Sequence, residues 1–239
     1  MTKILYMDNI DGNYIKEFDA NVIKSKKNYV CLDKTAFYPL GGGQPSDVGY
    51  LEWVGNKSQV KEVIKKGDSV KHIIEGEKPP VGTKVHAALN WDQRYDHMKM
   101  HTAQHILSGI IFNDYGARTI GNQIHAEYSR VDFHPANFSK KDLENIEKKF
   151  NEIVKKNLTI KIYEEDRVSL GKRVDQQRAH LDLLPKFVTK LRIVEVEDLD
   201  ICPCAGTHVR NTSEIPKIDK IKKETKGKDK SRIIYYLSN

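Results

Sequence analysis

The sequence predicts an α+β protein in two parts, a small β-barrel-like domain over residues 1–90 and an α+β domain over residues 91–239. Three observations carry that expectation. Up to Asn90, the β-type stretches Asn28-Tyr29-Val30-Cys31-Leu32, Gly49-Tyr50-Leu51-Glu52-Trp53-Val54 and Thr83-Lys84-Val85-His86-Ala87-Ala88-Leu89 are broken at short intervals by Gly, Asn, Asp and Pro. Several short strands joined by turns make a small barrel or sandwich. From Asp92 to about Asn113 there is no Pro and no early Gly, and Met98, Ile106 and Ile110 suit a helix. Finally, Ser139-Lys140-Lys141-Asp142 matches a capping box with Asp in place of Glu.

The helix that opens at Ser139 places Leu143, Ile146, Phe150, Ile153 and Val154 on one face. Strand-like pieces follow at Thr159–Tyr163 and Leu191–Val196, after an earlier one at Tyr128–Phe133. The end reads as a hairpin, with Ile218–Lys223 and Ile233–Leu237 flanking Lys226-Gly227-Lys228-Asp229. Neither Gly41-Gly42-Gly43-Gln44-Pro45 nor Gly76-Glu77-Lys78-Pro79-Pro80 is helical, because glycine and proline disfavour a helix interior.

At 239 residues, 38% hydrophobic and 31% charged, the chain has material for a substantial core and is not a disordered one. No apolar run approaches the roughly 18 residues of a membrane span, and the start turns acidic too early for a secretory signal. Three cysteines, two of them one residue apart, make no disulfide framework, so a reduced, cytoplasmic protein is expected. The net charge is +7, and residues 217–239 hold +5 of it. A basic run is usually a solvated face, and its confinement to one terminal segment strengthens the alternative of a nucleic-acid contact.

His97-Met98-Lys99-Met100-His101-Thr102-Ala103-Gln104-His105 sets three histidines at i, i+4 and i+8. Either adjacent pair shares a helix face and could chelate one metal. All three cannot, because eight residues span about 12 Å along the axis. No Glu follows the first His, so this is not the HExxH of a metalloprotease. Far downstream, Cys202-Pro203-Cys204-Ala205-Gly206-Thr207-His208 reads as a metal-binding turn. Together the two segments offer a tetrahedral zinc set of imidazoles and a thiolate.

His101-Thr102-Ala103-Gln104-His105 followed by Cys204-Ala205-Gly206-Thr207-His208 resembles the HxxxH…CxxxH signature of alanyl-tRNA editing domains. Thr207-His208-Val209-Arg210-Asn211-Thr212-Ser213-Glu214-Ile215 is similar to the family's continuation. Phe37-Tyr38-Pro39-Leu40-Gly41-Gly42-Gly43-Gln44-Pro45-Ser46-Asp47-Val48-Gly49 resembles the glycine-rich motif that precedes that domain. The likeness extends over nearly the whole chain and is to freestanding AlaX-type trans-editing proteins with an N-terminal barrel, which carry no aminoacylation domain.

That resemblance implies zinc held by His101, His105, Cys204 and His208. It leaves His97 as a polar residue near the site mouth or the RNA, and Cys202 as a nearby free thiol. Ser213 and Pro216 stand where the family usually has glycines, which alters a turn beside the site and leaves the ligands intact. The implied activity is hydrolysis of mischarged tRNA-Ala, with Ser-tRNA-Ala as substrate, Gly-tRNA-Ala as a further candidate and Ala-tRNA-Ala spared. Threonyl-type editing of Ser-tRNA-Thr and non-catalytic tRNA binding over a structural zinc are the rivals. The triple glycine lacks the Lys-Ser/Thr of a phosphate loop and reads as a tight turn needing positive φ. The resemblance adds that Gly41, Gly42, Gly43 and Gln44 border the pocket.

Thr119, after the first helix, is the candidate to bond the serine hydroxyl. Lys222, Lys223, Lys226 and Lys228 are the candidates for tRNA backbone. No general base is identified. Four protein ligands mark a closed zinc site, so either His208 yields to water or substrate, or the metal acts by positioning. His72, His86, His125, His134 and His180 have no partner at metal spacing and are ordinary polar residues. A monomer or a weak dimer is expected, with no membrane association.

Overall fold

The computed structural model describes residues 1–176, 178–179, 181 and 184–238, so His180 lies outside the described residues. The chain forms two compact units, Met1–Asp96 and His97–Asn239, which divide inside the first long helix.

The strands of the first unit are β1 (Lys3–Ile4), β2 (Glu17–Ser25), β3 (Tyr29–Leu32), β4 (Lys34–Thr35), β5 (Gly49–Trp53), β6 (Asn56–Lys66), β7 (Ser69–Glu75) and β8 (Lys84–Leu89). Six of them close a barrel in the order β2-β3-β7-β6-β5-β8, while β1 pairs in parallel with β4. The period-2 alternation that allows this is plain in β2, which buries Phe18, Ala20 and Val22, and in β8, which buries Val85, Ala87 and Leu89. With Val30, Leu32, Phe37, Leu51, Val60 and Val63 they fill the interior, which is a packed core and not a channel. Strands β5 and β8 approach so closely at Gly49 that a Cβ there would collide with the carbonyl oxygen of Ala88.

Helix α1 (Trp91–Tyr115) begins in this unit. Its first turn is anchored by Arg94, which is fully buried and ion-paired to Asp47. The same guanidinium donates to the carbonyls of Asn13 at 3.0 Å and Ala36 at 2.6 Å. The pairing and the extra acceptors satisfy a charge that would otherwise be costly to bury.

The second unit adds β9 (Arg118–Gln123), β10 (Ser129–His134), α2 (Lys140–Lys155), β11 (Ile160–Asp166), α3 (Arg167–Arg173), β12 (Lys190–Val196), β13 (Asp200–Pro203), β14 (Ile218–Thr225) and β15 (Ser231–Leu237). They form a four-stranded sheet in the order β14-β15-β10-β9 and a three-stranded sheet β11-β12-β13. The capping box of α2 is complete: Ser139 Oγ accepts from the Asp142 N–H at 3.2 Å, and Asp142 accepts from the Ser139 N–H at 2.7 Å. Ile146, Phe150, Ile153 and Val154 are its buried face. Around α1, by contrast, burial reaches apolar and polar positions alike, including Met98, Ile106, Ile110, His101, Thr102, Gln104, His105 and Ser108. No helix among the described residues is long and apolar enough to cross a membrane.

Candidate metal centre

His101 and His105 sit one turn apart on α1, with ring centroids 5.5 Å from each other. Cys204 and His208 come from the loop after β13. The His208 ring lies 4.5 Å from that of His101 and 4.8 Å from that of His105. Cys204 Sγ is 3.4 Å from His208 Nε2 and 3.7 Å from His101 Nε2. All four ligand atoms fall within 4.8 Å of one another. Around a tetrahedral zinc, with Zn–N about 2.0–2.1 Å and Zn–S about 2.3 Å, donors stand about 3.3–3.7 Å apart. The donor set therefore suits such an ion in both chemistry and spacing.

Hydrogen bonds from outside the cluster orient it. The Thr102 hydroxyl donates to the Met98 carbonyl at 2.9 Å, so its oxygen is an acceptor for the Val209 N–H at 3.2 Å and for His208 Nδ1–H at 3.1 Å. That places the proton of His208 on Nδ1 and turns the Nε2 lone pair towards Cys204 and His101. His105 Nδ1 is held at 2.9 Å by Asp200, which is itself paired with Arg178 at 2.6 Å. Cys204 Sγ accepts from the Gly206 N–H at 3.3 Å, and Arg192 donates to the Cys204 carbonyl at 2.5 Å.

Burial works against the Cys204 thiolate, yet electrostatic attraction to the neighbouring imidazoles and hydrogen bonds from His101 and His105 overcome it and hold the thiol well below its usual range. Burial and the neighbouring His101 push His208 well down, towards the neutral imidazole a metal requires. For His105, burial opposes the charge but bonding to Asp200 and Cys204 prevails and pushes it up to about 9. Cys202, on β13, differs: burial pushes its thiol up to about 12, and it lies outside the four-atom cluster. His97, expected as a polar residue near the site mouth or the RNA, is buried at 2% exposure.

Two family models match the chain: one described as tRNA synthetases class II (A) over residues 5–93, and one described as threonyl and alanyl tRNA synthetase second additional domain over residues 191–234. The alanyl-tRNA editing protein AlaX-M of Methanosarcina mazei is 38% identical over 246 residues, spanning 99% of this chain and 97% of its own length. The chain belongs to the alanyl-tRNA editing AlaX family. AlaX-M of Saccharolobus solfataricus is 36% identical over 98% of each chain. The alanine–tRNA ligase of Thermococcus kodakarensis is 35% identical over 98% of this chain, a stretch that makes up 25% of the ligase.

In this AlaX-family chain the remaining candidate residues occupy three places. Thr119 lies on β9, its Oγ1 2.7 Å from Ser108 Oγ on α1. Ser108 in turn accepts from the Gln104 amide at 2.7 Å, and Gln104 accepts from Asn122 at 3.3 Å. Gly41, Gly42, Gly43 and Gln44 form a tight turn in the first unit, closed by Gly41 and Gln44 and needing positive φ at Gly42 (+57°) and Gly43 (+82°). Of the lysines, Lys222 lies over the Tyr236 ring, Lys223 donates to the Phe138 carbonyl, Lys226 pairs with Glu224 at 3.2 Å, and Lys228 is exposed in the hairpin turn. The turn that carries Ser213 is a 3-10 segment over Thr212–Glu214, tied back by Glu214 accepting from the Arg210 and Asn211 N–H groups at 2.8 and 3.1 Å.

Sequence reasoning missed Asp200, Arg178 and the orienting role of Thr102. Thr102 carried a signal, lying between the two histidines of the motif. Asp200 carried only its closeness to Cys202.

Proposed function

We propose that this chain is a trans-acting aminoacyl-tRNA deacylase that hydrolyses Ser-tRNA-Ala, working in the cytoplasm with one zinc ion held by His101, His105, Cys204 and His208. The convergence of those four buried donor atoms within 4.8 Å carries the reading, and the names of its relatives supply the substrate class. An aminoacyl ester is already activated, so the protein's task is to position the ester and a water and to stabilise charge at the carbonyl. A zinc ion at this cluster supplies a fixed positive charge able to polarise or orient the ester. His208 is fully buried and held through Thr102, which supports a positioning role over a ligand that lets go. Residues 91–239 are assigned to the hydrolytic domain, and residues 1–90, with the turn Gly41, Gly42, Gly43 and Gln44, to a barrel domain of their own.

Thr119 is assigned to the serine hydroxyl. Ser108 accepts from Gln104 and bonds to Thr119 with either hydroxyl able to donate, and with the Ser108 proton given to Thr119 the Thr119 hydroxyl serves as a donor to the substrate. A site built to bond a hydroxyl disfavours alanine, whose methyl group leaves that donor unpaired. The experiment compares deacylation of Ser-, Gly- and Ala-tRNA-Ala and of Ser-tRNA-Thr. Hydrolysis of Ser-tRNA-Ala with Ala-tRNA-Ala spared is expected, and Thr119→Val should narrow the serine-to-alanine preference by about tenfold or more. Equal rates on serine and alanine sink the editing claim, and faster turnover of Ser-tRNA-Thr moves the chain to the threonyl type.

Lys222, Lys223, Lys226 and Lys228 are assigned to tRNA backbone. Replacing all four by Ala should weaken tRNA binding and flatten its salt dependence by about 0.9 for each phosphate no longer neutralised. An unchanged slope returns the segment to a solvated surface.

A further inference from the structure

The four-stranded sheet of the second unit has one face towards α1, where the buried Tyr235 donates its hydroxyl to the Met100 carbonyl at 2.7 Å. The opposite face carries a different chemistry. Cross-strand register sets Lys220 against Tyr236 and Lys222 against Ile234 on β14–β15, and Ile234 against Arg130 on β10. Tyr128, just before β10, is 38% exposed, and its ring lies 5.7 Å from Tyr236 and 5.3 Å from His125. Lys220 and Lys222 hold their ammonium groups 5.6 and 5.7 Å from the centre of the Tyr236 ring. The acidic residues of this face gather at the other end, where Asp132 and Glu224 lie 2.6 and 3.9 Å from Arg232. One end is thus neutralised, and the other is aromatic and basic.

We infer that this face is a platform for unpaired nucleotides of an RNA, whose bases stack on Tyr128 and Tyr236 while Lys220, Lys222 and Arg130 meet the phosphates. Every base has a π-face and every linkage a charge, so a single strand satisfies rings and cations together. An acidic peptide would satisfy the cations alone. A duplex would meet the cations but keep its bases stacked on one another. The choice of RNA over DNA rests on the tRNA-editing reading above.

The test measures binding of the full chain to a hairpin RNA with a short single-stranded 3′ tail and to the same hairpin made blunt. Tyr128→Ala and Tyr236→Ala should each weaken binding of the tailed hairpin by about tenfold and leave the blunt one within about twofold. Tyr236→Phe, which keeps the ring, should bind like the wild type. Lys220→Ala with Lys222→Ala should reduce the salt slope on the tailed hairpin by about 0.7 for each phosphate no longer neutralised. Tailed binding unchanged in both Tyr→Ala variants, or an equal loss on both hairpins, overturns the inference and leaves the editing reading standing. Concentration-dependent dimerisation abolished by Tyr236→Ala overturns it in favour of a second copy of the chain. A wild type that binds neither hairpin overturns both readings.

Discussion

Each unit buries a histidine beside a threonine hydroxyl, and the two pairs are wired in opposite senses. In the barrel, His72 Nδ1 donates to the Val30 carbonyl at 3.4 Å, which leaves Nε2 to accept the proton of Thr35 Oγ1 at 2.9 Å. In the second unit the Thr102 proton is committed to Met98, so Thr102 accepts from His208 Nδ1 and the other ring nitrogen faces Cys204 Sγ at 3.4 Å. The His72 lone pair is already engaged inside an apolar core, where the ring packs edge-on to Phe37 at 5.5 Å. His208 presents its lone pair to a thiolate and two more imidazoles. Burial of a histidine is therefore no sign of a site; convergence of its ring nitrogen with other ligand atoms is.

The largest effect expected from this contrast is at Cys204. Cys204→Ala should abolish stoichiometric zinc in metal analysis and lower deacylation by about 100-fold or more. Cys202→Ala should leave the metal content near the wild-type level. The reverse pattern means that the other sulfur is the ligand.

The two threonines offer a matched pair of intermediate size. Thr102→Val removes the acceptor that fixes the His208 tautomer and should weaken zinc binding by about 10–100-fold in a chelator competition, with Thr102→Ser restoring most of it. Thr35→Val leaves the His72 lone pair and the Phe37 N–H without their partner, and should cost about 1–3 kcal/mol in denaturant unfolding with zinc affinity unchanged. Equal effects of the two substitutions on zinc would break the distinction.

A pH-dependent effect should be the smallest near neutrality. Burial pushes His72 down to about 4 from an ordinary value of 6.5, so the unfolded chain takes up a proton before the folded one does. The stability this provides is complete above pH about 6.5 and is lost as the pH falls towards 4, by up to about 3 kcal/mol. Unfolding of His72→Gln should be less steeply dependent on pH across that window, and an unaltered dependence would mean that other groups set the acid sensitivity.

Much of the fold was legible because it is local. The α2 cap follows from Ser139 and Asp142, and the terminal hairpin from alternation on either side of Lys226-Gly227-Lys228-Asp229. Part of what escaped was short or irregular. Strand β9 contains Gly121 and lies beside a bulge between Asp132 and Phe133, and β13 spans only Asp200–Pro203. Helix α3 depends on Asp166, whose side chain accepts from the Val168 and Ser169 N–H groups at 2.9 and 3.2 Å, a cap that no strong apolar period follows.

The sequence by itself determined the donor types and the two local pairs, because a spacing of four residues sets side chains on one face of a helix or turn wherever the chain goes. It left open which two of His97, His101 and His105 would meet the downstream cysteine. Tertiary structure decided that by bringing the loop of Cys204 and His208 to the last two. It also decided which nitrogen of His208 and of His105 is committed, through Thr102 at 106 residues from His208 and Asp200 at 95 residues from His105. A lone pair points where its hydrogen-bonded neighbour leaves it free to point, and that neighbour is set by packing across the fold and not by spacing along the chain.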